Sequence, residues 1–77
     1  MRKSNSLNYS NPFATNLRAA IESKEITQYA LAVKAGIHPS AICQYCTGVH
    51  LPRPGKIRKL AEALDVPVLD LLKGVIL

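Results

Sequence analysis

Apolar positions along Thr27 to Gly48, TQYALAVKAGIHPSAICQYCTG, follow a helical period that breaks once, at Gly36. At about 100° per residue, Leu31, Ala32 and Ala35 fall on one side of a helix and Ala30 and Lys34 on the other. Thr27 suits the N-cap of this helix, because its hydroxyl can accept a hydrogen bond from a free amide of the first turn. Gly36 ends the helix, since a sharp reversal needs positive φ and glycine reaches it without a Cβ clash. A second helix is expected to begin near His38, with Pro39 in the first turn, where a missing N–H costs nothing. That helix turns Ile42 and Tyr45 inward with Ala41 beside them, and Ser40, Cys43, Gln44 and Thr47 outward. The outward arc is small, polar and uncharged, whereas an ordinary solvated face carries Lys and Glu. It reads as a recognition surface, with a merely exposed polar face as the plainer alternative.

The flanks supply further helices. Asn11 and Pro12 form a cap and first helical residue, and a helix over Pro12 to Lys24 buries Phe13, Leu17, Ala20 and Ile21. After a loop over Val49 to Arg53, anchored by Leu51, a helix over Pro54 to Leu64 turns Ile57, Leu60, Ala61 and Leu64 inward. Val66 to Leu72 reads as a turn and a short fifth helix closed by Gly74. The organisation is a basic N-terminal arm (1–11), expected to be flexible, a domain over 12–74 with its motif at 27–48, and an apolar tail (75–77).

Seventy-seven residues bound the chain to one small domain with one modest core. No apolar run approaches the length of a membrane span and no signal-peptide hydrophobic region opens the chain, so a soluble, cytoplasmic protein is expected, with no membrane partner and both cysteines as thiols. The net charge is +5, and its distribution matters more than its size. Ile26 through Ala61 contains no acid, but carries Lys34, Arg53, Lys56, Arg58 and Lys59. The acids gather at Glu22, Glu25, Glu62, Asp65 and Asp70. That segregation is the electrostatic footprint of a polyanion binder. Anionic lipid is the other polyanion, but the outward aromatic and leucine content of an interfacial helix is missing.

The pattern T-Q-x-x-L-A-x-x-x-G-I, followed by Ile42, Tyr45 and Gly48, resembles the helix-turn-helix of the lambda repressor and Cro-like DNA-binding family. The match continues through Leu17-Arg18 upstream and Pro52, Lys59-Leu60-Ala61, Ala63-Leu64 and Val66 downstream, covering about Phe13 to Leu72. The resemblance implies an all-α, five-helix lambda repressor-like domain that binds double-stranded DNA. It places the helix from His38 to about Thr47 in the major groove, with its N-terminal part nearest the bases. Base contacts are then expected from Pro39, Ser40, Cys43 and Gln44. Gln44 is the strongest reader, since its amide can bond adenine N6 and N7 together. Backbone contacts are expected from Thr27, Gln28, His38, Thr47, Arg53, Lys56 and Arg58, and arm contacts from Arg2 and Lys3. Gln28 resembles the family's glutamine that binds a phosphate and braces the recognition helix. Arg18 matches an arginine that commonly pairs with a glutamate just before the glycine ending the recognition region. Here Cys46 stands at that position, so the ion pair cannot form, and Arg18 is left to solvent or to a phosphate.

Relatives often dimerise through the C-terminal region, which implies an interface built from Leu71, Val75, Ile76 and Leu77; the alternative is that the apolar end folds back on its own domain. Cys43 and Cys46 form a C-x-x-C, but zinc needs four converging ligands. On a helix His38, Cys43 and Cys46 spread over about 140° and do not aim at one point. The strand-helix setting of redox C-x-x-C motifs is also missing, so Cys46 is expected to border the core and Cys43 to face DNA or solvent. No metal, cofactor or small-molecule ligand is expected, and no acid-base or nucleophile constellation suggests an enzyme. The resulting expectation is a homodimeric repressor on a near-palindromic operator, of the Cro-type phage regulator or small-repressor kind. The rivals are an antitoxin that also holds a toxin, and a protein-interaction module that has lost DNA binding.

Overall fold

The computed structural model of the chain describes residues 11–75, which form five α-helices and no strand. They are α1 (Pro12–Ser23), α2 (Gln28–Ala35), α3 (Pro39–Thr47), α4 (Pro54–Leu64) and α5 (Val68–Leu72). Arg2, Lys3, Ile76 and Leu77 lie outside the described residues.

Local chemistry sets each boundary. Asn11 Oδ1 accepts the Ala14 amide at 2.8 Å and Thr27 Oγ1 accepts the Ala30 amide at 3.0 Å, each satisfying a donor that the first helical turn leaves free. Prolines at the starts of α1, α3 and α4 give up no hydrogen bond there. Gly36 and Gly48 close α2 and α3 in the left-handed conformation, at φ 70° and 84°. Two other left-handed residues, Glu25 and Asp65, follow α1 and close α4 without glycine.

The helices share one core, with Phe13, Leu17, Leu31, Ile42, Cys46, Leu60 and Leu71 fully buried. α1 packs on α3 and α5, while α2 packs on α3 and α4. Ala32, 1% exposed, lies where a single methyl permits close approach; a larger group would overpack at about 1–3 kcal/mol. No polar or charged side chain is buried among the described residues.

Three expectations change. Leu51 does not anchor its loop: it is half exposed, and the neighbouring Pro52 is buried instead, the ring filling space without an N–H to satisfy. On α3 the core positions are Ile42 and Cys46, with Ala41 and Tyr45 half-buried at the sides. Leu71 is fully buried within its own domain, so it is a core residue and not part of a free interface. Val75 is half-buried against the same core.

Candidate nucleic-acid interface

α2, the turn at Gly36 and Ile37, and α3 form a helix-turn-helix. The turn is held at both ends. The Gly36 and Ile37 amides donate to Val33 and Ala32 carbonyls, and Ile37 drops into the core at 5% exposure. His38 is the N-cap of α3, one residue before the helix proper. Its Nδ1 accepts the Ser40 amide at 3.1 Å and lies 3.0 Å from the Ser40 hydroxyl.

Pro39, Ser40, Cys43, Gln44 and Thr47 are all exposed. At the helical period they occupy an arc of about 140° that leaves out Cys46 and Ile42, about 20° and 60° beyond Pro39. The outward surface therefore carries one amide able to donate and accept, two hydroxyls, a thiol and a proline ring, with no charge to desolvate. Thr47 is engaged in the free protein, where its hydroxyl donates to the Gln44 carbonyl at 3.2 Å. Meeting a phosphate requires that rotor to turn. Thr27 spends only its acceptor on the cap, so its own proton remains available to an anion, beside the exposed Gln28 at the first position of α2. Free amides and the helix dipole make that terminus favourable to phosphate.

The basic residues divide. Arg53 is exposed at the N-cap of α4 and Lys56 is half-buried in its first turn. Arg58 stands about 160° from Lys56 around the axis and lines a groove of about 350 Å³ with Leu51, Pro54, Val68 and Leu72. Lys59 turns instead toward α2, where it shares a shallow hollow with Lys34 and Glu62. One flat surface cannot meet all of them. Among the described residues, none of these cations is in an ion pair.

Arg18, expected at solvent or a phosphate, and Asn11, expected only as a cap, together hold the far end of α3. Arg18 Nη1 donates to the Cys46 carbonyl, and Asn11 Nδ2 donates to the Gly48 carbonyl at 3.2 Å. The missing glutamate is thus replaced by a backbone acceptor, which no side-chain pattern could announce. Asn16 likewise donates to the carbonyls of Leu71 and Lys73, at 3.0 and 2.8 Å, tying α1 to the end of α5. Burial pushes the Cys46 thiol up from 9.0 to about 11, against the lowering pull of the Arg18 charge and with a further push from Cys43. Cys43 is exposed and Cys46 buried, and among the described residues no group of three or more His, Cys, Asp or Glu converges as a metal site.

Five helices, a glycine turn and an outward polar arc on the second motif helix define a helix-turn-helix domain. The chain matches the helix-turn-helix family model over residues 17–71 and belongs to that family, the lambda repressor and Cro-like group of DNA-binding transcription regulators, which is not an enzyme class. It is similar to the HTH-type transcriptional repressor RghR of Bacillus subtilis (strain 168), with 38% identity over 56 residues that cover 71% of this chain and 42% of that protein. The chain thus spans less than half the length of this relative. Among the described residues no helix is long and apolar enough to cross a membrane.

Proposed function

We infer that the chain is a cytoplasmic, sequence-specific repressor of the small Cro-like kind, which binds a near-palindromic operator as a homodimer. The outward arc of α3 carries the reading: it is exposed, uncharged and centred on groups that can match base edges. Gln44 is its principal reader, with Ser40 and Cys43 beside it and Pro39 offering apolar contact to a thymine methyl. Thr27, Gln28, Arg53 and Lys56 supply backbone contacts that fix register without reading sequence. His38 and Thr47 border this surface. Arg2 and Lys3 of the arm are suited to further phosphates.

The repressor name of the similar Bacillus subtilis protein supports the direction of regulation. Because Leu71 is buried, we assign the dimer surface to the outer side of α5. There Leu69 is 75% exposed and Val68 37%, beside the apolar groove that Leu51 and Leu72 line. In sequence the apolar run continues through Val75, Ile76 and Leu77. A two-fold pairing would set two α3 helices in successive major grooves about 34 Å apart.

Selection of bound duplexes from a random pool tests the whole reading. A palindromic consensus with half-sites one helical turn apart is expected; failure to retain any duplex at low salt would refute DNA binding. Sedimentation of Leu69→Lys then tests the dimer surface, which predicts a shift to monomer.

A further inference from the structure

The C-terminal end of α3 is finished by its own backbone only in part. Gly48 in the left-handed conformation lets the Val49 amide return to the Gln44 carbonyl at 3.0 Å and the Gly48 amide to the Tyr45 carbonyl at 3.3 Å. These bonds leave the carbonyls of Cys46 and Gly48 untaken, and α1 and its cap meet both, through Arg18 and Asn11. The two donors stand seven residues apart, roughly two helical turns, so one side of α1 presents both to one end of α3. The guanidinium also places a positive charge at the negative end of the α3 dipole.

α3 needs such a fixture. Ile42 and Cys46 are buried with Ala41 and Tyr45 packed half-buried beside them, an apolar arc of about 140° whose non-directional burial holds α3 to the core but does not by itself select among small rotations about the helix axis. Directional hydrogen bonds do. Side-chain ends lie about 5–6 Å from a helix axis, so a rotation of about 15° carries a base-reading amide roughly 1.5 Å. That exceeds the whole spread of hydrogen-bond lengths, about 0.5 Å, and a two-bond contact to one base does not survive it.

We propose that Asn11 and Arg18 are positioning residues, a clamp from α1 on the last carbonyls of α3 that sets the rotation at which Gln44 meets a base edge. The inference rests on the DNA-binding reading above and adds to it two residues that touch no base. It also explains how this chain keeps Arg18 useful with Cys46 in place of an acid: the arginine takes the carbonyl of that same residue.

The test compares the unaltered protein with Arg18→Met, Arg18→Lys and Asn11→Ser, the last retaining a side chain able to cap α1 while removing the amide donor. Affinities for the selected operator and for a scrambled duplex are measured across a salt series, and amide NMR spectra are recorded for each protein without DNA. Arg18→Met is expected to weaken operator binding at least about fivefold, with scrambled-duplex affinity and salt slope held. Arg18→Lys should restore part of the preference, and Asn11→Ser should move amide resonances along α3 in the same direction as Arg18→Met. Equal losses on both duplexes with a slope lower by about one would make Arg18 a phosphate contact and overturn the proposal. An unchanged operator preference in folded Arg18→Met and Asn11→Ser proteins, with α3 resonances unmoved, would overturn it too. A wild-type protein without sequence preference would instead overturn the DNA-reading role itself, a result separable from the clamp because the α3 resonances report on the clamp without DNA.

Discussion

Gly36→Ala isolates the conformational cost of the turn between α2 and α3. Gly36 sits at φ 70°, and a Cβ built there meets no heavy atom within 4 Å. The substitution therefore creates no clash, and its whole effect comes from the backbone. Holding an L-residue in the left-handed region costs about 1–2 kcal/mol. Reduced freedom of the unfolded chain returns about 0.4–1 kcal/mol. The net loss should be near 1 kcal/mol, which for a domain of this size lowers Tm by about 4–8 °C. Urea unfolding should give a lower midpoint at an unchanged slope, and operator affinity should survive because the new methyl points into open space. Gly36→Asn should lose less, since its side chain tolerates this conformation. Gly74→Ala offers the comparison: at φ 79° it carries the same backbone cost, and its Cβ would meet Pro12 at 3.4 Å, an ordinary van der Waals contact. A loss well above 3 kcal/mol for Gly36→Ala would refute open space at the turn, and a gain in stability would refute the left-handed φ.

On the selected operator, Gln44→Ala should cost about 1–3 kcal/mol, and on random duplex almost nothing; equal losses on both would remove Gln44 as a reader. Lys56→Gln should lower the salt slope by about one, whereas Arg58→Gln, at the groove beside α5, should leave it closer to that of the unaltered protein. A slope insensitive to Lys56 would assign that lysine to solvent. Because burial raises the Cys46 thiol from 9.0 to about 11, its contribution to stability is complete below pH 9 and declines as pH rises toward 11, the unfolded chain losing its proton first. The decline is at most about 1.4 kcal/mol per pH unit. Unfolding free energies of the wild type and Cys46→Ala, measured from pH 8 to 11, should converge or cross in that window, and parallel curves would refute it. In the folded protein at neutral pH, a thiol reagent should modify Cys43 alone; simultaneous labelling of Cys46 would contradict its burial.

Local punctuation was the most legible part of this chain. Asn11-Pro12, Thr27, Gly36, Pro39 and Pro54 each restrict the backbone by their own chemistry, and the helices begin or end at them. The ends of α1 and α4 carry no such signal. Glu25 and Asp65, both exposed, adopt φ of 55° and 58°, and the Ile26 and Val66 amides that follow them return to the Ile21 and Ala61 carbonyls, a closure that composition does not announce without glycine. Periodicity fixed relative angles but not which angle faced the core. On α3, Ala41, Ile42, Tyr45 and Cys46 form one continuous arc of about 140°, and any part of it could have been the centre. The phenol of Tyr45 gains by staying at the edge, where its hydroxyl remains wet, so the smaller Cys46 takes the interior. The same ambiguity exchanged Leu51 for Pro52 and drew Leu71 inward.

What sequence could not supply is a connection between side chain and main chain. An acid in place of Cys46 would have announced a partner for Arg18, whereas a carbonyl is present at every residue and announces nothing. The donors of Asn11, Arg18 and Asn16 each travel at least 28 residues along the chain to reach a helix end. All three start from the α1 region, so this first helix, which pattern alone marks only as core, is also the frame against which α3 and α5 are set. A reading surface built from neutral side chains depends on geometry more than on charge. The positions that fix its geometry can therefore lie outside the motif that carries it, and here they lie on α1.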